Sequence, residues 1–392
     1  MKNYEIAIIG AGASGLMLGA LLASKNQKGV AVLERGERVG KKLSSTGNGQ
    51  GNISNLSLTK DNYYSDDIEK AWSVIERFDR EKTLDFLQSL GGYFCADERG
   101  RVYPASKQAS AVTDLLRGYI AGKVEVITGF MVGSVKKQAN GYLLEHDGRT
   151  VFAKKVVVAT GGKAQKNFGT DGNFYEVVKK LGHTVTPLYP SLVQVKTETT
   201  HIKMLKGIRI DGVARAFLEG KEIGKARGDI IFTEYGVSGN AIFSLSSAIA
   251  GKEGVTLSIE FLPDIDEEKL TRLIASKIKT RPDIEKSEIL SCYLANQVGR
   301  AVVKRAENFS ASEIVRTVKN FTLPVVGTLG FDYAQVTKGG VPLLEVTDGL
   351  ESKKNKGLYF TGEILNLDGE CGGYNLQWAF SSAGVVAGEL LK

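Results

Sequence analysis

The chain has 392 residues, of which 42% are hydrophobic and 24% charged, an ordinary globular composition with room for two or three domains. Its net charge of +7 is spread along the chain without a long basic block, so a clustered nucleic-acid face is not expected, and no run of apolar residues is long enough to span a membrane. The cysteines, Cys95, Cys292 and Cys371, are odd in number and far apart, and the histidines, His146, His183 and His201, have no ligand spacing. A disulfide framework, a zinc site and a dithiol pair are therefore all poorly supported.

The opening reads strand, glycine turn, helix, strand. Tyr4 to Ile9 reads as a strand, and its short apolar run, Ile6 to Ile9, suits burial on both faces. Gly10, Gly12 and Gly15 form a GxGxxG. The first glycine serves the sharp turn, the second lets backbone approach a pyrophosphate, and the third lets the helix from Leu16 to Ser24 pack closely. That helix directs its free N–H groups and positive dipole end at the phosphate, so Ala13 and Ser14 join the candidate site. Glu34 closes the second strand, where a carboxylate can take a ribose hydroxyl pair.

Gly40 to Asn52 is too rich in glycine and small polar residues for a helix or strand. Its backbone N–H groups can wrap an anion, with Lys41 and Lys42 adding charge. A plain solvated loop is the alternative; the position directly after the ribose strand favours ligand contact. Helices are then expected from a Ser65 cap through Phe78, around Leu84 to Leu90, and from Ala111 to Ile120. Val124 to Thr128 and Phe130 to Lys137 read as strands. Tyr142 to His146 and Thr150 to Ala153 read as a hairpin leading into a buried strand, Val156 to Val158, whose tight exit is Thr160-Gly161-Gly162.

From about Pro187 the texture changes. Leu192 to Thr197, Val213 to Leu218, Asp229 to Thr233 and Val255 to Phe261 suggest an antiparallel sheet or small barrel. Ile265 to Lys279, Glu288 to Ala306 and Ser312 to Asn320 read as helices, the last with a Ser310/Glu313 capping box. The C-terminal stretch returns to the first theme. Gly357 to Glu363 is a short strand ending in glycine and an acid, a glycine loop runs to Gly373, and Tyr374 to Leu391 is a helix rich in small residues. A second glycine loop opening a second helix suits a long, two-ended ligand.

Ile8 to Leu16 with Glu34-Arg35 resembles the FAD-binding Rossmann domains of glutathione-reductase type. Thr46-Gly47-Asn48-Gly49-Gln50-Gly51-Asn52, Ala159-Thr160-Gly161-Gly162, Thr337 to Val341, Gly357 to Glu363, and Asp368 to Ala379 narrow the resemblance. Together they look like the bacterial NAD(P)/FAD-dependent oxidoreductase family that includes the bile-acid (dehydro-steroid) reductase BaiN and aminoacetone oxidase. The resemblance runs nearly end to end. It implies an α/β fold: an FAD-binding Rossmann domain (1–186 and 331–392), an antiparallel barrel-like insertion (187–262 and 321–330) and a helical subdomain (263–320).

It further implies FAD as cofactor, with the pyrophosphate on Gly10, Gly12, Ala13, Ser14 and Gly15. The adenosine ribose falls on Glu34, next to Arg35, and the adenine edge on the backbone of Val126. Thr46, Gly47, Asn48 and Asn52 contribute from the first loop. Thr160, Gly161 and Gly162 line the middle of the cofactor, Gly362 and Glu363 meet its ribityl–phosphate end, and Gly373, Asn375, Leu376 and Gln377 face the flavin ring. Gln50 and Gly51 stand where the family's loop usually carries Arg and Cys, so a cation and a thiol are absent there; FAD binding through backbone should survive.

No second GxGxxG occurs, so NAD(P)H would act as a transient reductant at the flavin. Reduction of an activated C=C bond in a small organic substrate is the leading expectation. Oxidation of a small amine by oxygen is the alternative, and a flavin-binding protein without turnover is a third. Cys371 and Tyr374 read as packing residues, and no catalytic residue is named. The expected partner is a small-molecule substrate, with no nucleic acid and no membrane span, in a cytoplasmic enzyme.

Overall fold

A computed structural model describes residues 2–392. The chain divides into two compact units, one of residues 1–189 and 335–392 and the other of residues 190–334.

In the first unit, β1 (Lys2–Ile9) leads into α1 (Ala13–Ser24) and β2 (Val30–Leu33). The long loop after β2 ends at β3 (Ser54–Asn55), followed by β4 (Tyr63–Ser65), α2 (Ile68–Arg77) and α3 (Arg80–Ser89). Next come the hairpin β5 (Phe94–Ala96) and β6 (Arg101–Pro104), α4 (Ala109–Ile120), β7 (Glu125–Ile127), β8 (Ser134–Gln138), β9 (Gly141–His146), β10 (Arg149–Val158) and α5 (Phe174–Lys180). β11 (Tyr189–Ser191) spans the point where the chain passes into the second unit.

The second unit is a closed antiparallel barrel with helices. Its strands are β12 (Val195–Thr197), β13 (Arg209–Leu218), β14 (Lys221–Phe232), β15 (Gly236–Ser238), β16 (Thr256–Glu260) and β17 (Phe321–Thr328), in the order β12-β15-β14-β13-β16-β17. Its helices are α6 (Asn240–Ile249), α7 (Glu267–Thr280), α8 (Asn296–Arg305) and α9 (Ala311–Lys319). Barrel residues such as Phe232 and Leu257 share one core with Ile274, Val302 and Ile314 from the helices. The chain then returns to the first unit with β18 (Val336–Lys338), β19 (Leu358–Phe360), β20 (Leu367–Gly369) and α10 (Tyr374–Leu390).

The main sheet runs β7-β2-β1-β10, all parallel. β10 then does two jobs along its length. Arg149 to Ala153 pair antiparallel with β9, and Val156 to Val158 pair parallel with β19. Val156, Val157 and Val158 are fully buried, as a strand covered on both faces requires.

Several expectations are corrected here. The hairpin arm and the buried valine strand are one continuous β10. Asp67, not Ser65, caps α2 by accepting the Lys70 N–H at 3.0 Å, while Ser65 Oγ donates to the Asn366 carbonyl. Phe130 is not in a strand; its N–H donates instead to the Glu34 carbonyl. The helix expected from Glu288 starts only at Asn296. Lys277 Nζ gathers the carbonyls of Glu288, Ile289 and Ser291, and Cys292 sits at φ 73°, which an L residue in a helix cannot adopt. Ser310 does cap α9, accepting from Glu313 N–H at 3.2 Å.

One buried polar network closes the back of the sheet. Ser352 Oγ accepts N–H bonds from Asn355 (2.8 Å) and Lys354 (3.1 Å), which leaves its own proton for His183 Nε2 at 2.8 Å. His183 is therefore the Nδ1–H tautomer and donates to Glu345 Oε2 at 2.7 Å. Burial outweighs the pull of Glu345 and holds the His183 pKa below its ordinary 6.5. Burial pushes the Glu345 carboxyl upward, but its bonds from Lys354, Thr184 and His183 prevail and hold it at about 2. Both groups therefore stabilise the fold above their unfolded values and lose that contribution on acidification, His183 as pH falls below 6.5 and Glu345 as it falls from 4.5 toward 2. Glu345→Gln is expected to cost about 1–2 kcal/mol at pH 7. It should also flatten the loss of stability below pH 4.5. Thermal melts of both proteins across pH 3 to 8 check this, and parallel curves would count against it.

Candidate dinucleotide site

The site is built where β1, α1, β10 and the C-terminal strand meet. Gly10 turns at φ 103°, and a Cβ there would lie 2.4 Å from the Ala159 carbonyl oxygen. A Cβ at Gly15 would lie 1.9 Å from the Gly10 oxygen, so the third glycine is required by the turn itself. Gly12 differs: a Cβ would meet nothing within 4 Å, and the space over it is open. α1 has Gly12 at its N-cap with no side-chain cap, which leaves the N–H groups of its first turn, at Ala13, Ser14 and Gly15, without intrahelical partners. α10 begins in the same way at Gly373, which is left-handed at φ 99°.

Glu34 lies at the end of β2 and takes two backbone donors, Ala11 N–H at 2.9 Å and Gly36 N–H at 2.7 Å. Each oxygen retains a lone pair for a further donor such as a ribose hydroxyl. Arg35 makes a bidentate pair with Asp171 at 2.8 and 3.0 Å and reaches the Gly169 carbonyl. The guanidinium holds the Asp171 carboxyl below its usual range. Val126 sits on the edge strand β7, paired with Val32.

In the first loop Gly47, Asn48, Gly49 and Gly51 all have positive φ. Thr46 Oγ1 donates to the Leu43 carbonyl, and Asn52 is buried, donating to the carbonyls of Ser54 and Val102. Lys41 is exposed. Lys42, expected to offer charge to an anion, is bonded to Glu363 at 2.9 Å. Glu363 also accepts the Thr337 N–H at 2.8 Å, and both carboxylate oxygens are thus engaged. Gly162 has to be glycine because a Cβ would lie 2.5 Å from Thr337 Oγ1 and 2.6 Å from Glu363 Oε1. Gly161 is left-handed at φ 72°. Gly362 rests against Ser14 and receives Trp378 Nε1–H on its carbonyl.

At the start of α10, Asn375 staples the glycine loop through the N–H and carbonyl of Gly369. Leu376 is half-buried against the core. Gln377 turns its side chain inward and is fully buried, bonded to Ser54, Thr83 and Ser381. The helix start therefore offers backbone N–H groups rather than the Gln377 amide. The sequence reading missed Asp171 and Thr337 as partners of site residues; the Thr170-Asp171-Gly172 turn that follows Thr160-Gly161-Gly162 was the available signal.

These residues fit a dinucleotide. The space over Gly12 is open, two long helices start uncapped, and Thr160 Oγ1 is buried with no hydrogen-bond partner among the described residues. A buried hydroxyl left unpaired costs about 1–3 kcal/mol, which a ligand atom would recover.

Fold and cradle together define an FAD-dependent oxidoreductase built on a Rossmann domain. The family described as HI0933-like protein Rossmann domain matches residues 4–390, and the chain belongs to it. A Clostridium scindens protein named 3-dehydro-bile acid delta(4,6)-reductase is 36% identical over 405 aligned positions, covering 98% of each chain. An Escherichia coli protein named ribosomal RNA dihydrouridine synthase is 28% identical, covering 100% of this chain and 99% of that one. Among solved structures, the 3-ketosteroid-delta4-(5alpha)-dehydrogenase of Rhodococcus jostii RHA1 has a similar fold. Its TM-score is 0.51 at 15% identity, over 98% of this chain and 96% of that one. No helix among the described residues is long and apolar enough to cross a membrane.

The two glycines separate binding from folding. Gly12→Ala should leave the melting temperature of the apoprotein unchanged but weaken FAD binding by at least about 10-fold, or ~1.4 kcal/mol. Gly15→Ala should lower the melting temperature itself, because its methyl has no room. FAD titration and melting of both apoproteins check this; a Gly12→Ala protein with normal FAD affinity would place the phosphate elsewhere.

Proposed function

We propose that the chain is an NAD(P)H-linked, FAD-dependent reductase of a C=C bond conjugated to a carbonyl in a small organic substrate. The observation that carries this reading is the 36% identity, end to end, with a protein named as a reductase of a 3-dehydro bile acid. Bound FAD supplies hydride-transfer chemistry. In this reading the diphosphate lies on Gly10, Gly12, Ala13, Ser14 and Gly15, and the ribose on Glu34 beside Arg35, with adenine along Val126. The first loop, from Lys41 and Lys42 through Thr46, Gly47, Asn48 and Asn52, encloses the cofactor. Thr160, Gly161 and Gly162 line its middle, and Gly362 and Glu363 meet its ribityl end.

The N–H groups at the α10 start, from Gly373 through Asn375 and Leu376, face the ring, with Gln377 holding the helix in place from behind. That helix end favours negative charge on the reduced ring and so favours electron uptake. NAD(P)H serves as a transient reductant, and a cytoplasmic location goes with it.

A second reading comes from the Escherichia coli relative, whose printed name makes it an enzyme on ribosomal RNA. Dihydrouridine is uridine with its conjugated ring double bond reduced, so the bond chemistry is shared and the substrate differs. The lower identity and the diffuse charge of +7 rank this reading second. The amine-oxidase and non-catalytic alternatives are not favoured.

An anaerobic titration with NADPH and NADH, followed on the visible flavin band, is expected to bleach the flavin. The reduced protein is then expected to be reoxidised by a steroid enone and not by ribosomal RNA. Reoxidation by RNA alone would reverse the ranking, and a flavin that neither nucleotide reduces would remove the NAD(P)H link.

A further inference from the structure

β6 lies against β3, the strand that leaves the first glycine loop. Asn55 pairs with Arg101, and Ile53 N–H donates to the Val102 carbonyl at 2.9 Å. The same β3 supports the start of α10. Gly373 packs on the Ser54 carbonyl, and Asn55 Nδ2 donates to the Gly372 carbonyl at 3.0 Å. The short sheet β3-β6-β5 is thus the floor between the two loops assigned to the flavin end.

Side chains alternate along β6. Val102 enters the core, and Arg101 and Tyr103 share the opposite face, with the guanidinium carbon 5.8 Å from the Tyr103 ring centroid. The Cys371 sulfur lies within electrostatic reach of both. Arg101 is held by Asp97, through Nε at 2.8 Å and a second nitrogen at 2.6 Å. The Tyr103 side chain is largely buried, but its hydroxyl keeps access to solvent and makes no hydrogen bond to another described residue. The ring is packed, its accessible hydroxyl is left free for a ligand, and a cation stands beside the ring.

We propose that the Tyr103 hydroxyl, flanked by the Arg101 guanidinium, is the acid that protonates the substrate during reduction. This rests on the reductase reading. As the C=C π bond breaks, bound FAD in its reduced form would supply the hydride for the new C–H bond at the β-carbon and would itself be oxidised. The Tyr103 O–H bond breaks and its proton forms the C–H bond at the α-carbon. The phenolate left behind faces Arg101 and takes a proton back from water. Burial raises the Tyr103 pKa, and the Arg101 charge opposes that rise. Positions 50 and 51 of the first loop, Gln50 and Gly51, carry neither a cation nor a thiol, and on this neighbouring strand Arg101 supplies a cation.

The test uses the FAD-loaded protein with Tyr103→Phe and Arg101→Gln, after flavin content shows that each variant is folded. Dithionite-reduced protein is mixed with 2-cyclohexenone and flavin reoxidation is followed. Tyr103→Phe is expected to slow it by about 100-fold. Separately, p-nitrophenol serves as an enolate mimic whose visible phenolate band reports binding to oxidised protein. The wild type is expected to bind it, and each variant to bind it about 10-fold more weakly.

Reoxidation of Tyr103→Phe at the wild-type rate, or equal phenolate binding by all proteins, overturns the proposal. If cyclohexenone fails to reoxidise even the wild type, the enone-reductase reading falls, and phenolate binding still decides whether Tyr103 and Arg101 form an acid and anion-stabilising pair.

Discussion

Three missing side chains set the geometry on which the cradle depends. Gly10 lets the end of β1 lie on the Ala159 carbonyl, Gly15 lets α1 start against the Gly10 carbonyl, and Gly362 lets the exit of β19 rest on Ser14. The exits of β1, β10 and β19 and the N-terminus of α1 are thereby brought to one place. α10 packs along α1, and Ser382 of α10 accepts the Gly362 N–H at 2.9 Å, which fixes the second helix to the same strand exit. Any Cβ at Gly10 or Gly15 would separate elements whose hydrogen bonds and burial assume contact at backbone distance.

With this frame in place, most of the formal charges near the site are satisfied within the protein. Glu34 holds two backbone N–H groups, Arg35 is paired with Asp171, and Lys42 with Glu363. The last pair joins residues 321 positions apart and is about one-fifth exposed on each side, so its evident role is to tie the first loop to the C-terminal strand exit. The N–H groups at the starts of α1 and α10, by contrast, have no side-chain cap and stay available to an anion. Such donors are fixed in direction and lose no rotamer freedom on binding, and a partly buried dipole is screened by salt less than an exposed lysine would be.

The parts of this arrangement legible in the sequence are those where one residue type has one physical reason. The glycine spacing, the valine run of β10 and the small-residue helix α10 are of this kind. Parts decided by distant partners were hidden. The first half of β14 reads as polar because Lys221, Glu222, Lys225 and Arg227 are exposed, so the strand, expected only from Asp229, in fact begins at Lys221. The expected helix from Glu288 fails because a lysine 11 residues earlier gathers its carbonyls. Gln377 looked like a ligand residue because it lies in a glycine-rich helix start, and no local signal marks Ser54 and Thr83 as its partners. Tyr103 was passed over for a similar reason, since a tyrosine in a short strand shows its unpaired hydroxyl only once the neighbours are placed.

The Gln50-Gly51 departure is explained by packing rather than by simple loss of a reactive pair. Gly51 stands at φ 77°, and a Cβ there would come within 2.8 Å of the Ala109 Cα. Two residues earlier, the Gly49 carbonyl accepts the Ala109 N–H at 2.7 Å, so this loop is bonded directly to the first residue of α4. A cysteine at position 51 would need a different backbone angle and a displaced α4, and α4 is itself packed on α1 through Leu116 and Ile120. The loop is therefore attached closely to α4 and, through it, to α1. Beside this loop, the face of β6 holds the Arg101 cation together with the Tyr103 hydroxyl, which has no protein partner.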